Sequence, residues 1–150
     1  MIIVTNFPLP VCEIYRSRGR IGKATHHFEI ALGIGAPFNW HNDLFGIHCE
    51  LVELFRDEGR FSDAQTHLEH AKLHVVNNIH HLGRATELQA EVWYGQRRLG
   101  EAKSEALRAI DIFNRLGVAK DVERCRKLLR DIEIEGAEHR GCPWSIQSQL

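Results

Sequence analysis

Apolar residues recur at helical spacing over most of this chain. Between Ala119 and Ile134, the residues Val122, Cys125, Leu128, Leu129 and Ile132 trace one stripe. Lys120, Glu123, Arg124, Lys127, Arg130 and Asp131 fall on the other side. That division predicts a helix with one face covered and one in water. The same reading predicts helices over 10–18, 21–32, 40–57, 62–77, 81–95 and 100–116. Pro10 suits a first helical turn. Gly33-Ile34-Gly35 reads as a helix stop, Pro37 and Asn39 as a loop, and Asn77-Asn78 as a fraying end. No proline stands between Phe38 and Gly141, as expected for helices joined by short turns. Residues 1–9 read as an irregular or truncated start. From Glu135 onward Gly136, Gly141, Pro143, Ser145 and Ser148 break the period, so 135–150 is expected to be a disordered tail.

The chain repeats itself. Gly19-Arg20-Ile21-Gly22-Lys23-Ala24 recurs 40 residues later as Gly59-Arg60-Phe61-Ser62-Asp63-Ala64, and 38 later again as Arg97-Arg98-Leu99-Gly100-Glu101-Ala102. Four residues after each alanine stand Phe28, Leu68 and Ala106; three further on stand Ala31, Ala71 and Ala109. Nine before it stand the aromatics Tyr15, Phe55 and Trp93, and twelve before it Cys12, Val52 and Ala90. Residues three or four apart share a helix face. Each unit therefore reads as a helical hairpin. Small residues let two backbones approach, an aromatic fills the space beside them, and glycine opens the turn. One hairpin cannot bury its stripes alone, whereas a stack can.

Small, aromatic, turn, alanine, bulky, alanine: this succession resembles the tetratricopeptide repeat, from about Pro10 to Leu116. There are departures. The family's early tryptophan-like position falls on Pro8, His48 and Thr86. Its closing proline falls on Ala36, Val76 and Asn114, and the repeats exceed the usual 34 residues. Long repeats separated by Leu82-Gly83 and Leu116-Gly117 also look like the C-terminal arrays of fungal NTPase-linked signal-transduction receptors, as does the stretch Glu101 to Ala109. The resemblance implies an all-α fold, an α-α superhelix of right-handed stacked hairpins. Its repeats would span 10–38, 39–80 and 81–118, with a capping helix at 119–134.

Composition narrows the function classes. Nineteen basic residues against 20 acidic ones give a net charge of −1, and charged residues make up 26%. That balance disfavours a nucleic-acid partner, which needs a basic surface. No apolar run is long enough to span a membrane. The first ten residues lack the basic flank and cleavage site of a signal peptide. Cys12, Cys49, Cys125 and Cys142 are scattered and read as reduced thiols of a cytoplasmic protein.

Candidate chemistry is sparse. His67, His70 and His74 share a face of the 62–77 helix, away from the Ala64, Leu68, Ala71 stripe, and are expected on the outer surface. A metal site needs a further convergent ligand, and no H-E-x-x-H is present, so no metal or cofactor is expected. Gly19-x-x-Gly22-Lys23-Ala24 has the wrong spacing for a phosphate loop. Cys49 follows His48, but adjacent helical positions do not face each other. No enzymatic activity is expected.

Equivalent places on the first helix of each unit carry Glu13, Glu53 and Glu91, followed three residues on by Arg16, Arg56 and Tyr94. In tetratricopeptide arrays this face usually lines the concave groove, so by resemblance these six residues would bind a partner. Intrahelical Glu–Arg pairing on a solvated face is the plainer alternative. The expected function is a non-catalytic protein–protein interaction scaffold. Its partner would be a segment with Lys or Arg, or other domains of a larger signalling protein. The alternative from another class is an enzyme or metal-binding protein using the histidines of the 62–77 helix.

Overall fold

The structure, a computed structural model, describes residues 21–35 and 41–140. Its regular elements are α1 (Ile21–Gly35), α2 (His41–Asp57), α3 (Phe61–Leu73), α4 (Ile79–Gly95), α5 (Leu99–Leu116) and α6 (Ala119–Arg140). Among the described residues there is no strand. The predicted helix at 10–18 and the irregular start lie outside the described residues, as do 141–150.

Three helix ends differ from the expectation. α1 does not stop at Leu32: Gly33-Ile34-Gly35, expected to end it, are its last turn, since glycine lowers helix stability by only about 1 kcal/mol per residue. α3 stops at Leu73, and His74 caps it. α6 does not end at Ile134: residues 135–140 continue it to Arg140, so the expected tail is helical up to there. Gly136 costs a helix only about 1 kcal/mol. Glu135 repays this with partners at the end of α4 and in the turn after it, accepting from Tyr94 Oη at 3.0 Å and pairing with Arg97.

Successive helices pack on one another throughout, and α4 also touches both α2 and α6. α2–α3 and α4–α5 are the closest partners and form hairpins, and α6 covers the last one. The repeated small residues sit at these crossings. Ala64, Leu68 and Ala71 of α3 are fully buried, as are Ala102, Ala106 and Ala109 of α5. In the first hairpin they meet Val52, Leu54 and Phe55 of α2; in the second Ala102 and Ala106 meet Ala90 of α4, while Ala109 packs with Phe113, Val122 and Cys125. Val122, Cys125 and Ile132 of α6 are buried, with Leu128 and Leu129 packed beside the second hairpin. Gly83 shows the same economy of space. A Cβ there would stand 2.7 Å from the Phe113 ring.

The turns share one geometry. The amide of Arg60 donates to Phe55 O, and that of Gly59 to Arg56 O; Arg98 and Arg97 repeat this on Trp93 and Tyr94. Each is a Schellman closure, which needs a left-handed residue after the helix. Gly59 adopts it at φ 76°, but in the next unit Arg97 occupies the place at φ 64°. A side chain there is strained by about 1–2 kcal/mol.

Two substitutions check this account by urea denaturation. Ala102→Leu forces a side chain into a closed crossing and lowers stability by about 1–3 kcal/mol. Arg97→Gly, made in a Glu135→Gln background that already lacks the Arg97 pair, raises it by about 0.5–1 kcal/mol, the relieved strain less the greater freedom of glycine in the unfolded chain.

Candidate functional site

Helices α2, α4 and α6 lie side by side, and charged side chains link them in a row. Glu53 of α2 pairs with Arg84 of α4, and Arg56 of α2 with Glu91 of α4. Arg84 also contacts Glu87 at 3.0 Å, one turn along its own helix. Glu87 is fully buried, and Arg124 of α6 grips both its oxygens, one at 2.7 Å. Arg124 further meets Asp121 at 2.6 Å, and Asp121 meets His80 of α4 at 2.9 Å. The hydrogen bonds to Glu87 hold the Arg124 guanidinium more firmly charged than usual, against the cost of its burial. Burial opposes charge on Asp121, but His80 and Arg124 hold its carboxyl below the usual range.

This geometry places the expected groove residues as follows. Glu13 and Arg16 lie outside the described residues. Glu53, Arg56 and Glu91 come together at the α2–α4 contact, through pairs between helices. The intrahelical alternative does not describe them. Tyr94 is half-buried and spends its hydroxyl on Glu135; burial and that carboxylate raise its pKa. The acidic charge of Glu53 and Glu91 is thus met by Arg84 and Arg56. Arg124 lies on the exposed side of the capping helix, as expected from the sequence, and its guanidinium reaches in to pair with Glu87.

Five histidines gather where α2 meets α3. His41 Nδ1 stands 3.1 Å from His74 Nδ1, and His48 Nδ1 stands 3.2 Å from His67 Nδ1. The His48 ring lies parallel to those of His70 and His74, with centroids 5.3 and 5.7 Å away. Phe55 stacks on His67 at 5.3 Å. The expectation of three outward histidines is therefore corrected. His70 is exposed, but His67 and His74 are half-buried and turn toward α2, where His48 is buried. The sequence did carry a signal for this. His41 and His48 are seven apart, as are His67 and His74. Two turns of spacing on each arm of an antiparallel hairpin bring them together in pairs. Among the described residues no group of three or more His, Cys, Asp or Glu is arranged to hold a metal ion as it stands.

A separate open cleft of about 510 Å³ lies among α3, α4 and α5. Gln65 and Gln89 exchange amide hydrogen bonds of 3.2 and 2.8 Å at its wall, and Lys72 Nζ donates to Gln89 at 2.8 Å. Among the described residues, none of the expected groove residues, Glu53, Arg56, Glu91 and Tyr94, lines it. Burial pushes the thiols of Cys49 and Cys125 up to about 12, so neither is a thiolate at neutral pH. Among the described residues no helix is long and apolar enough to cross a membrane.

Comparison with known proteins leaves the site's geometry to speak for itself: no family model, no curated protein and no solved structure matches the chain.

The histidine cluster makes stability depend on pH. Burial, then the neighbouring imidazoles His67, His70 and His74, lower the His48 pKa to about 4. Burial also lowers His67 and His74, with Asp63 and Glu29 opposing the shift at His67. Groups with a depressed folded-state pKa bind fewer protons folded than unfolded, so stability falls as pH drops below about 6.5. Chelator-treated protein should lose roughly 1–2 kcal/mol through His48 between pH 7 and 5. Urea midpoints at the two pH values should differ less in His48→Gln than in the wild type.

Proposed function

We propose that the chain is a non-catalytic protein–protein interaction module, a solenoid of tetratricopeptide-like hairpins whose α2, α4 and α6 face receives a partner segment. One observation carries the reading: alternate helices contact one another in a row, α2 on α4 and α4 on α6. This is the arrangement that a stack of hairpins produces and that gives such arrays a continuous recognition face. The recurrence of small, aromatic and alanine positions, buried as the resemblance implies, supports the same reading. The narrower likeness to fungal receptor arrays rests on the repeat sequence alone.

The partner chemistry changes from the initial expectation. Three arginines, Arg56, Arg84 and Arg124, are already paired with the four carboxylates of the row, so a basic segment meets acids that are engaged rather than an open acidic strip. Tyr94 and Arg97 offer a better anchor at the α4 edge. Tyr94 is half-buried and holds an apolar ring beside its polar tip, and the Arg97 side chain is 75% exposed. Aromatic and arginine side chains carry much of the energy at protein interfaces.

The test is capture of binding partners by the intact chain, followed by titration of a recovered partner against variants. Tyr94→Ala and Arg97→Ala should each weaken binding about tenfold, a loss of about 1.4 kcal/mol. Arg115→Ala, on the exposed side of α5, should leave it unchanged. The reverse ranking sinks the assignment of the face. Charge reversal at Glu53 and Glu91 is a poor probe, because it sets lysines against Arg84 and Arg56 and disturbs the helix contact itself.

A further inference from the structure

We propose that the histidines between α2 and α3 form a binding site for a divalent transition-metal ion of the zinc, nickel or copper class, with His48 and His67 as its first two ligands. The antiparallel hairpin and the matched seven-residue spacings set His48 against His67 and His41 against His74. Their Nδ1 atoms lie 3.2 and 3.1 Å apart. Two imidazole nitrogens each about 2.0–2.1 Å from one zinc ion, at the tetrahedral angle, are separated by about 3.3 Å. The pairs therefore already hold the spacing that two ligands of one ion require. Without an ion, each pair is held by one shared N–H···N hydrogen bond, which the metal replaces.

Other features favour metal over proton. Ligating imidazoles must be neutral, and His48 is buried while His67 and His74 are half-buried against α2. Phe55 packs flat on His67, which limits its ring orientations. His70 is exposed and lies one turn from both His67 and His74 on α3, so rotation of its side chain can bring a third nitrogen, and water can complete the shell. An all-imidazole donor set selects zinc, nickel or copper over calcium and magnesium, which take oxygen ligands. An ion here would pin α2 to α3 at their common face. Its binding can be measured with no partner present, so it stands or falls apart from the interaction reading.

The experiment is calorimetric titration of the tag-free, chelator-stripped chain with zinc chloride, with a parallel thermal melt. The expected result is saturable uptake of one ion per chain, with a melting temperature that zinc raises and EDTA restores. His48→Gln and His67→Gln should each weaken uptake at least about tenfold. His80→Gln, whose ring meets Asp121 on another face, should leave it unchanged. No saturable uptake, or equal uptake in wild type and both cluster variants, overturns the proposal. Should either variant fail to fold, cobalt decides on the wild-type chain. An intense visible d–d absorption that zinc abolishes supports the site, and the spectrum of aqueous cobalt overturns it.

Discussion

A carboxylate with no contact to water must be answered by a cation, and Glu87 is such a carboxylate. Its group sits inside α4, where α2 and α6 both approach. The protein answers it with Arg84 from its own helix and Arg124 from α6. Breaking a buried pair of this kind costs about 3–5 kcal/mol, whereas replacing it whole with apolar groups is often neutral. The pair therefore says little about total stability and much about register. α6 satisfies Glu87 only when Arg124 comes opposite it, and that setting also brings Glu135 opposite Tyr94 and Arg97, 11 residues and about three turns further along α6. Charge fixes where the last helix lies along α4, and apolar burial supplies the adhesion.

The hairpins were legible in the sequence because their cause is local and repeated. A small residue, an aromatic and an alanine stripe at fixed spacing predict which faces close, and Ala64, Ala71, Ala102 and Ala109 are all fully buried. The turn was legible too, since Gly59 takes the left-handed conformation. The repeat even identifies Arg97 as the residue that must take it without being glycine. The end of α6 was not legible, because Gly136 and the later glycine and proline suggest a tail. Contacts to α4, far away in sequence, hold residues 135–140 helical.

The candidate site was legible only in half. The sequence marked Glu53, Arg56, Glu91 and Tyr94 as one face, and they do lie on the helices that stack. Their partners could not be read along a single helix. Pairing within one helix is a matter of three- or four-residue spacing. Pairing between helices depends on axial offset, which composition does not encode. The histidines failed for a related reason. One face of α3 in isolation looks solvated, because His67 and His74 miss its alanine stripe. Only the seven-residue spacing repeated on α2 shows that a second set waits opposite.

These two clusters divide the work of the fold in a consistent way. The row across α2, α4 and α6 sets four carboxylates against three arginines whose partners are already chosen, so it resists rearrangement and keeps neighbouring hairpins in step. The histidines lie within one hairpin, between α2 and α3, and their charge is not fixed. Burial holds His48, His67 and His74 toward the neutral form, and the crowded rings are costly to protonate together, since one cation disfavours the next at these distances. The two clusters share α2: its His41 and His48 face α3, while its Glu53 and Arg56 face α4. One helix thus carries the neutralising pairs on one side and the crowded imidazoles on the other.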